Sequence, residues 1–173
     1  PSSLTSEAVG ILFETLLVDE LVDQKRGGAS ADVAIQSLLR GFYRTVLESD
    51  FELSIYTEPP VFSSAGLGAR YLETLTAFYG GTVDLEPWDS NGWLQTPHFF
   101  SSPLYMPRYG LATAAAVKLF SDLKAEDPTA AAAARDRVLA LLSAGGSDDP
   151  FILLKNAGVN LEEPETILAV GQR

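Results

Sequence analysis

Pro97-His98-Phe99-Phe100-Ser101-Ser102-Pro103-Leu104-Tyr105-Met106-Pro107-Arg108-Tyr109-Gly110 divides the chain into two helical stretches. Three prolines within eleven residues forbid one continuous helix, because each removes a backbone donor and disfavours helical geometry in the residue before it. The segment therefore reads as a loop between helical regions, the kind of place where binding and catalytic groups concentrate. It carries the only histidine of the sequence, His98, and two tyrosines, Tyr105 and Tyr109. On spacing alone the plainer reading is structural, with the aromatic side chains plugging a core.

On the N-terminal side, Ser3 or Thr5 can cap a helix over 6–23. Its apolar residues cover nearly every direction of a 3.6-residue wheel, which predicts a helix buried all round. Glu7 and Glu14 are seven apart and so lie on one face, flanked by Ile11, Val18 and Leu21. A carboxylate in such surroundings is costly unless it is paired, protonated or bound to a metal. The alternative is that both sit at a frayed end or pair with Arg or Lys elsewhere. A turn over 25–30 leads to a long helix over 31–56, ended by Pro59-Pro60. There Asp50 and Glu52, with Arg40 and Arg44, read as its solvated side or as ion pairs. Ser63-Ser64 can cap a third helix to Tyr79, closed by Gly80-Gly81.

The segment 82–110 is expected to be irregular, anchored by Trp88 and Trp93. Helices follow over 111–124, 128–143, 150–157 and 164–171, the third started by an Asp149 cap and Pro150. No stretch alternates as a strand does, and there is no internal repeat, so the fold class is all-α. Gly145-Gly146 is not a phosphate loop, since it lacks a preceding strand and the lysine such a loop needs.

An apolar fraction of 46% over 173 residues supports a globular core. The net charge of −11 argues against nucleic acid and against an anionic membrane, both of which require clustered cations. The sequence has no cysteine, which excludes disulfides and thiol chemistry and fits a reducing, cytoplasmic setting. No apolar run is long enough to span a bilayer, and no signal peptide is recognisable. A helix starting a few residues after Pro1 suggests an excerpt of a larger catalytic domain, a single helical unit over 1–173 whose upstream part is missing.

Two aligned carboxylates, a histidine on an aromatic loop and two tyrosines are the groups a metal centre uses. Zinc accepts His and carboxylate ligands and, where it is catalytic, keeps one position open for water. Tyrosine hydroxyls and an imidazole beside it can donate hydrogen bonds to a developing oxyanion.

Three segments carry a resemblance. Glu7-Ala-Val-Gly-Ile-Leu-Phe-Glu14 is similar to the segment after the zinc motif in the oligoendopeptidase F branch of the thimet-oligopeptidase-like metallopeptidases. His98-Phe-Phe-Ser-Ser-Pro-Leu-Tyr105-Met-Pro-Arg-Tyr109 resembles that family's His-Phe-Tyr…Pro-Phe-Tyr…Tyr loop. Leu142-Ser-Ala-Gly-Gly-Ser-Asp-Asp-Pro, then Leu153-Leu-Lys-Asn-Ala-Gly-Val-Asn-Leu and Pro164, looks like its C-terminal signature.

The resemblance implies the C-terminal portion of an all-helical, channel-forming zincin-like catalytic domain that hydrolyses oligopeptides. Glu7 would be the third ligand of one zinc ion, and Glu14 a carboxylate that orients a ligand or holds the helix. His98, Tyr105 and Tyr109 would bind the substrate backbone or stabilise the tetrahedral intermediate. The partners implied are short peptides. The family's His-Glu-x-x-His motif is absent, because one histidine cannot supply it. The chain alone is therefore expected to be inactive and to bind zinc weakly. Exposed apolar helix faces would favour a homodimer of the fragment. The alternative function is a non-catalytic helical peptide-binding or scaffold module derived from the same fold.

Overall fold

The computed structural model describes residues 3–24, 36, 39–58 and 62–172. The turn read over 25–30, most of the start of the long second helix, and Pro59-Pro60 lie outside the described residues. The chain forms two compact units, one from Pro1–Phe42 with Arg108–Arg173 and the other from Tyr43–Pro107. No β-strand occurs among the described residues, so the fold is all-α.

In the first unit, α1 (Ser3–Asp23) buries Leu4, Ala8 and Leu12, which recur every fourth residue and so share one side of the helix. The expectation of a helix buried all round is not met. Phe13 is 52% and Leu17 60% exposed, because packing partners cover the side of α1 centred on Leu4, Ala8 and Leu12, with Val9, Ile11 and Leu16 only partly buried at its margins.

A second helix, α5 (Met106–Leu123), begins five residues before the expected start at 111. Pro107 does not interrupt it. In the first helical turn the missing N–H has no partner to lose, and the fixed φ already suits a helix. Ala112, Thr113, Ala114, Ala115, Ala116 and Val117 are all buried in succession. Successive residues on a helix point about 100° apart, so neighbours surround α5 on every side. Leu12, Leu119, Leu154 and Val159 complete this core, all nearly inaccessible. Each is worth roughly 1.5–3 kcal/mol of burial.

Local chemistry sets the remaining ends. The Asp127 carboxylate accepts from Thr129 N at 3.1 Å and Ala130 N at 3.2 Å, and starts α6 (Pro128–Ala144). Asp149 accepts from Phe151 N at 2.9 Å and starts α7 (Pro150–Asn156). Gly158, at φ 95°, turns the chain after it, and Val159 N donates to Leu154 O at 2.9 Å. A final short helix, α8 (Pro164–Leu168), runs into a 3₁₀ turn at Ala169–Gln172.

A π-helical turn (Leu39–Arg44), of which Tyr43 and Arg44 open the second unit, leads into α2 (Thr45–Thr57). The end of the expected long helix is thus helical, with its first described turn widened. Next comes α3 (Ser64–Tyr79), capped by Ser63, which accepts from Gly66 N, and closed by Gly80 at φ 55°. The segment expected to be irregular instead folds into a 3₁₀ helix (Pro87–Gln95) and one helical turn, α4 (His98–Ser101). The 3₁₀ helix is started by Pro87 and by Glu86 N donating to the Asp89 carboxylate at 2.7 Å. Phe51 is fully buried at the centre. Tyr71 meets it edge-on at 4.9 Å and Phe99 at 5.5 Å, with Trp93 at 6.5 Å. Such aromatic pairs add about 0.5–1.5 kcal/mol each beyond their burial.

Candidate functional site

The site begins on α2, whose buried side carries two carboxylates as well as Leu47 and Phe51. Glu48 is 2% and Glu52 3% exposed. Four residues apart, they lie one above the other on the helix. Glu48 Oε1 accepts from Arg44 Nε at 2.9 Å and from Thr96 Oγ1 at 2.6 Å. The hydrogen bond from the Arg44 guanidinium to this carboxylate raises the arginine's pKa above its ordinary value, against the lowering effect of partial burial. Glu52 Oε1 accepts from Leu104 N at 2.7 Å. Charge-assisted bonds of this kind are what make buried carboxylates tolerable.

The two acceptors thus grip the chain at Thr96 and at Leu104. Between and beside these points stand His98, on α4, and Tyr105, whose rings stack with centroids 5.4 Å apart and planes at 23°. Both side chains are half-buried. Leu104 has φ 59°, a left-handed conformation that an L side chain adopts at a cost of about 1–2 kcal/mol. A cavity of about 210 Å³ lies in the same unit, lined by Phe51, Glu52, Tyr56, Trp93, Phe99 and Phe100, among others. Glu52 Oε2 and Trp93 Nε1 are buried without a hydrogen-bond partner.

The structure therefore brings His98 and Tyr105 together and adds two carboxylates that the sequence did not mark. Glu52 is not on the solvated side of its helix, and the carboxylate that pairs with Arg44 is the buried Glu48. Leu47, Glu48, Phe51, Glu52 and Ile55 form one stripe, and that spacing is the signal that would have found both. Tyr109 does not lie in the loop. It stands in the first turns of α5, half-buried in the first unit, and its backbone carbonyl accepts from Thr113 Oγ1 at 2.8 Å. Glu7 and Glu14 do share α1, but only Glu7 is partly buried; Glu14 is exposed, not held in apolar surroundings. Among the described residues no three His, Cys, Asp or Glu side chains form a group able to hold a metal ion. No helix among them is long and apolar enough to cross a membrane.

Residues 5–171 match Peptidase family M3. The chain is 27% identical to the Oligoendopeptidase F homolog of Borreliella burgdorferi, over 96% of this chain and 28% of that protein. It is 26% identical to Oligopeptidase PepF of Bacillus subtilis, over 97% of this chain and 25% of that protein. Group B oligopeptidase PepB of Streptococcus agalactiae is 29% identical, over 92% of this chain and 26% of its own length. The chain thus spans about a quarter of the length of the curated relatives it matches. No solved structure matches it. The chain belongs to peptidase family M3.

Proposed function

We propose that this member of peptidase family M3 is the C-terminal part of the catalytic domain of a zinc metalloendopeptidase that cleaves short peptides in the cytoplasm, along one wall of a deep channel. The observation that carries this reading is the stacked pair of His98 and Tyr105 on the loop that resembles the family's substrate-facing segment. A phenol O–H and an imidazole N–H beside a scissile carbonyl are hydrogen-bond donors. Their effect is greatest as the carbonyl oxygen gains charge, and so they lower the barrier more than they tighten binding. The resemblance gives Tyr109, on α5, a like role.

Zinc would supply a polarised carbonyl and an activated water. In this chain Glu7 is the one residue assigned to hold it, with Glu14 orienting α1 or a neighbouring ligand. One carboxylate is an incomplete ligand set for a metal that takes three protein donors, so the chain by itself does not fit the group. The part played by these residues is to orient the peptide and to hold a proton near its oxygen.

The test is kinetic, in the full-length protein that carries these residues. Tyr105→Phe and His98→Ala are expected to lower kcat on a quenched fluorescent oligopeptide by about 10²–10³, with metal content unchanged. Glu7→Gln should instead lower the zinc recovered with the protein. Turnover at the unaltered rate in both loop variants would remove the assignment.

A further inference from the structure

Glu48 and Glu52 sit on one side of α2, and each is almost inaccessible. A helix that only needed to pack would place leucines here, because burying two carboxylates is expensive without bonds to match. The bonds they make are specific. Glu48 takes the Thr96 hydroxyl, just before Pro97-His98, and Glu52 takes the Leu104 amide, just before Tyr105. The residues that stack as a pair are thus those next to the two points of attachment. Leu104 is also the one non-glycine with positive φ among the described residues. Its amide donates to Glu52 Oε1 at 2.7 Å, so the bond and the local backbone strain fall on one residue.

We propose that Glu48 and Glu52 are positioning residues: two carboxylates four apart on α2 clamp the ends of the 96–104 segment and hold the His98 and Tyr105 rings in register. The inference deepens the proposed function and rests on it for its catalytic consequence, but the clamp itself concerns geometry alone. Neither carboxylate need touch substrate. Each acts through the backbone or hydroxyl it binds, and a displacement of about 1 Å at a reacting group is enough to cost about 100-fold in rate.

Two readouts on the full-length protein separate the clamp from the catalytic assignment. The first is the His98 ring proton resonance, identified by its loss in His98→Gln and shifted by the ring current of Tyr105. Glu52→Ala should move it to the position seen in Tyr105→Leu. Glu52→Gln should leave it in place, since the carboxamide oxygen still accepts from Leu104 N. The second is peptide turnover. Glu52→Ala should lose about 100-fold in kcat with KM nearly unchanged, and Glu52→Gln should recover most of it.

Thr96→Val keeps the side-chain shape, removes the donor to Glu48 and leaves the Arg44–Glu48 pair intact. It should move the resonance in the same direction, and it serves as the decisive variant if Glu52→Ala fails to fold. An unmoved His98 resonance in Thr96→Val and in a folded Glu52→Ala overturns the clamp. A moved resonance with unchanged kcat upholds the clamp and overturns the substrate-facing role of His98 and Tyr105.

Discussion

Gly92 lies so close to the Tyr71 ring that an added β-carbon would stand 2.8 Å from its Cε1. Neither the 3₁₀ helix nor the buried ring can retreat without disturbing Phe51, so Gly92→Ala should destabilise the protein by about 1–3 kcal/mol, seen as a lower urea midpoint. Tyr71 makes a second prediction. Burial pushes its phenol pKa up, with the Glu48 charge adding to the effect. An acid whose pKa is raised on folding contributes stability that is complete below the unfolded value of about 10 and is lost as pH rises through the folded value. Urea midpoints should therefore fall as pH rises above about 10, and Tyr71→Phe should flatten that fall. At this scale the sequence displayed His98 and Tyr105 through their company of prolines. It hid Glu48 and Glu52, because a glutamate on a helix looks solvated until the chain that covers it, fifty residues away, is in place.

Among the elements, those whose ends are set by neighbouring residues were legible. Ser63 and Asp149 cap the helices they were expected to cap, Gly80 closes α3, and the helix expected from 128 starts there on an Asp127 cap. Asp127→Ala removes acceptors for two amides at the start of α6 and should cost about 1 kcal/mol, measured by thermal unfolding. The segment 82–105 was not legible in the same way. Its 3₁₀ helix depends on the Glu86–Asp89 bond and on Trp93 packing near Phe51, neither of which shows as a period. Pro107 misled for a different reason: proline breaks a helix interior but is accepted in a first turn, and only the location of α5 tells which applies.

For the whole chain, the family and the all-α class followed from motifs and periodicity, whereas the extent of burial did not. Phe13 on α1 borders a largely apolar cavity of about 410 Å³ with Leu16, Leu139 and Leu142, and Leu17 on the same helix is exposed. A chain that leaves such a surface open is expected to cover it with a second copy when it is alone in solution. Light scattering at rising concentration should show a dimer, and a clean monomer throughout would contradict this. Isothermal titration of the 173-residue chain with zinc should give weak binding, and incubation with oligopeptides should give no cleavage. Tight one-to-one binding would contradict the assignment of Glu7 as a single ligand among several.

The run of buried residues through α5 also governs how this chain can change over time. Ala112, Ala114, Ala115 and Ala116 have no exposed surface, so a larger side chain at any of them must displace a neighbouring element. In a saturation library these positions should accept little beyond glycine and serine. Drift in this protein is therefore steered around one helix. That helix also carries Tyr109, so a residue assigned to the substrate rides on a helix with little room to vary.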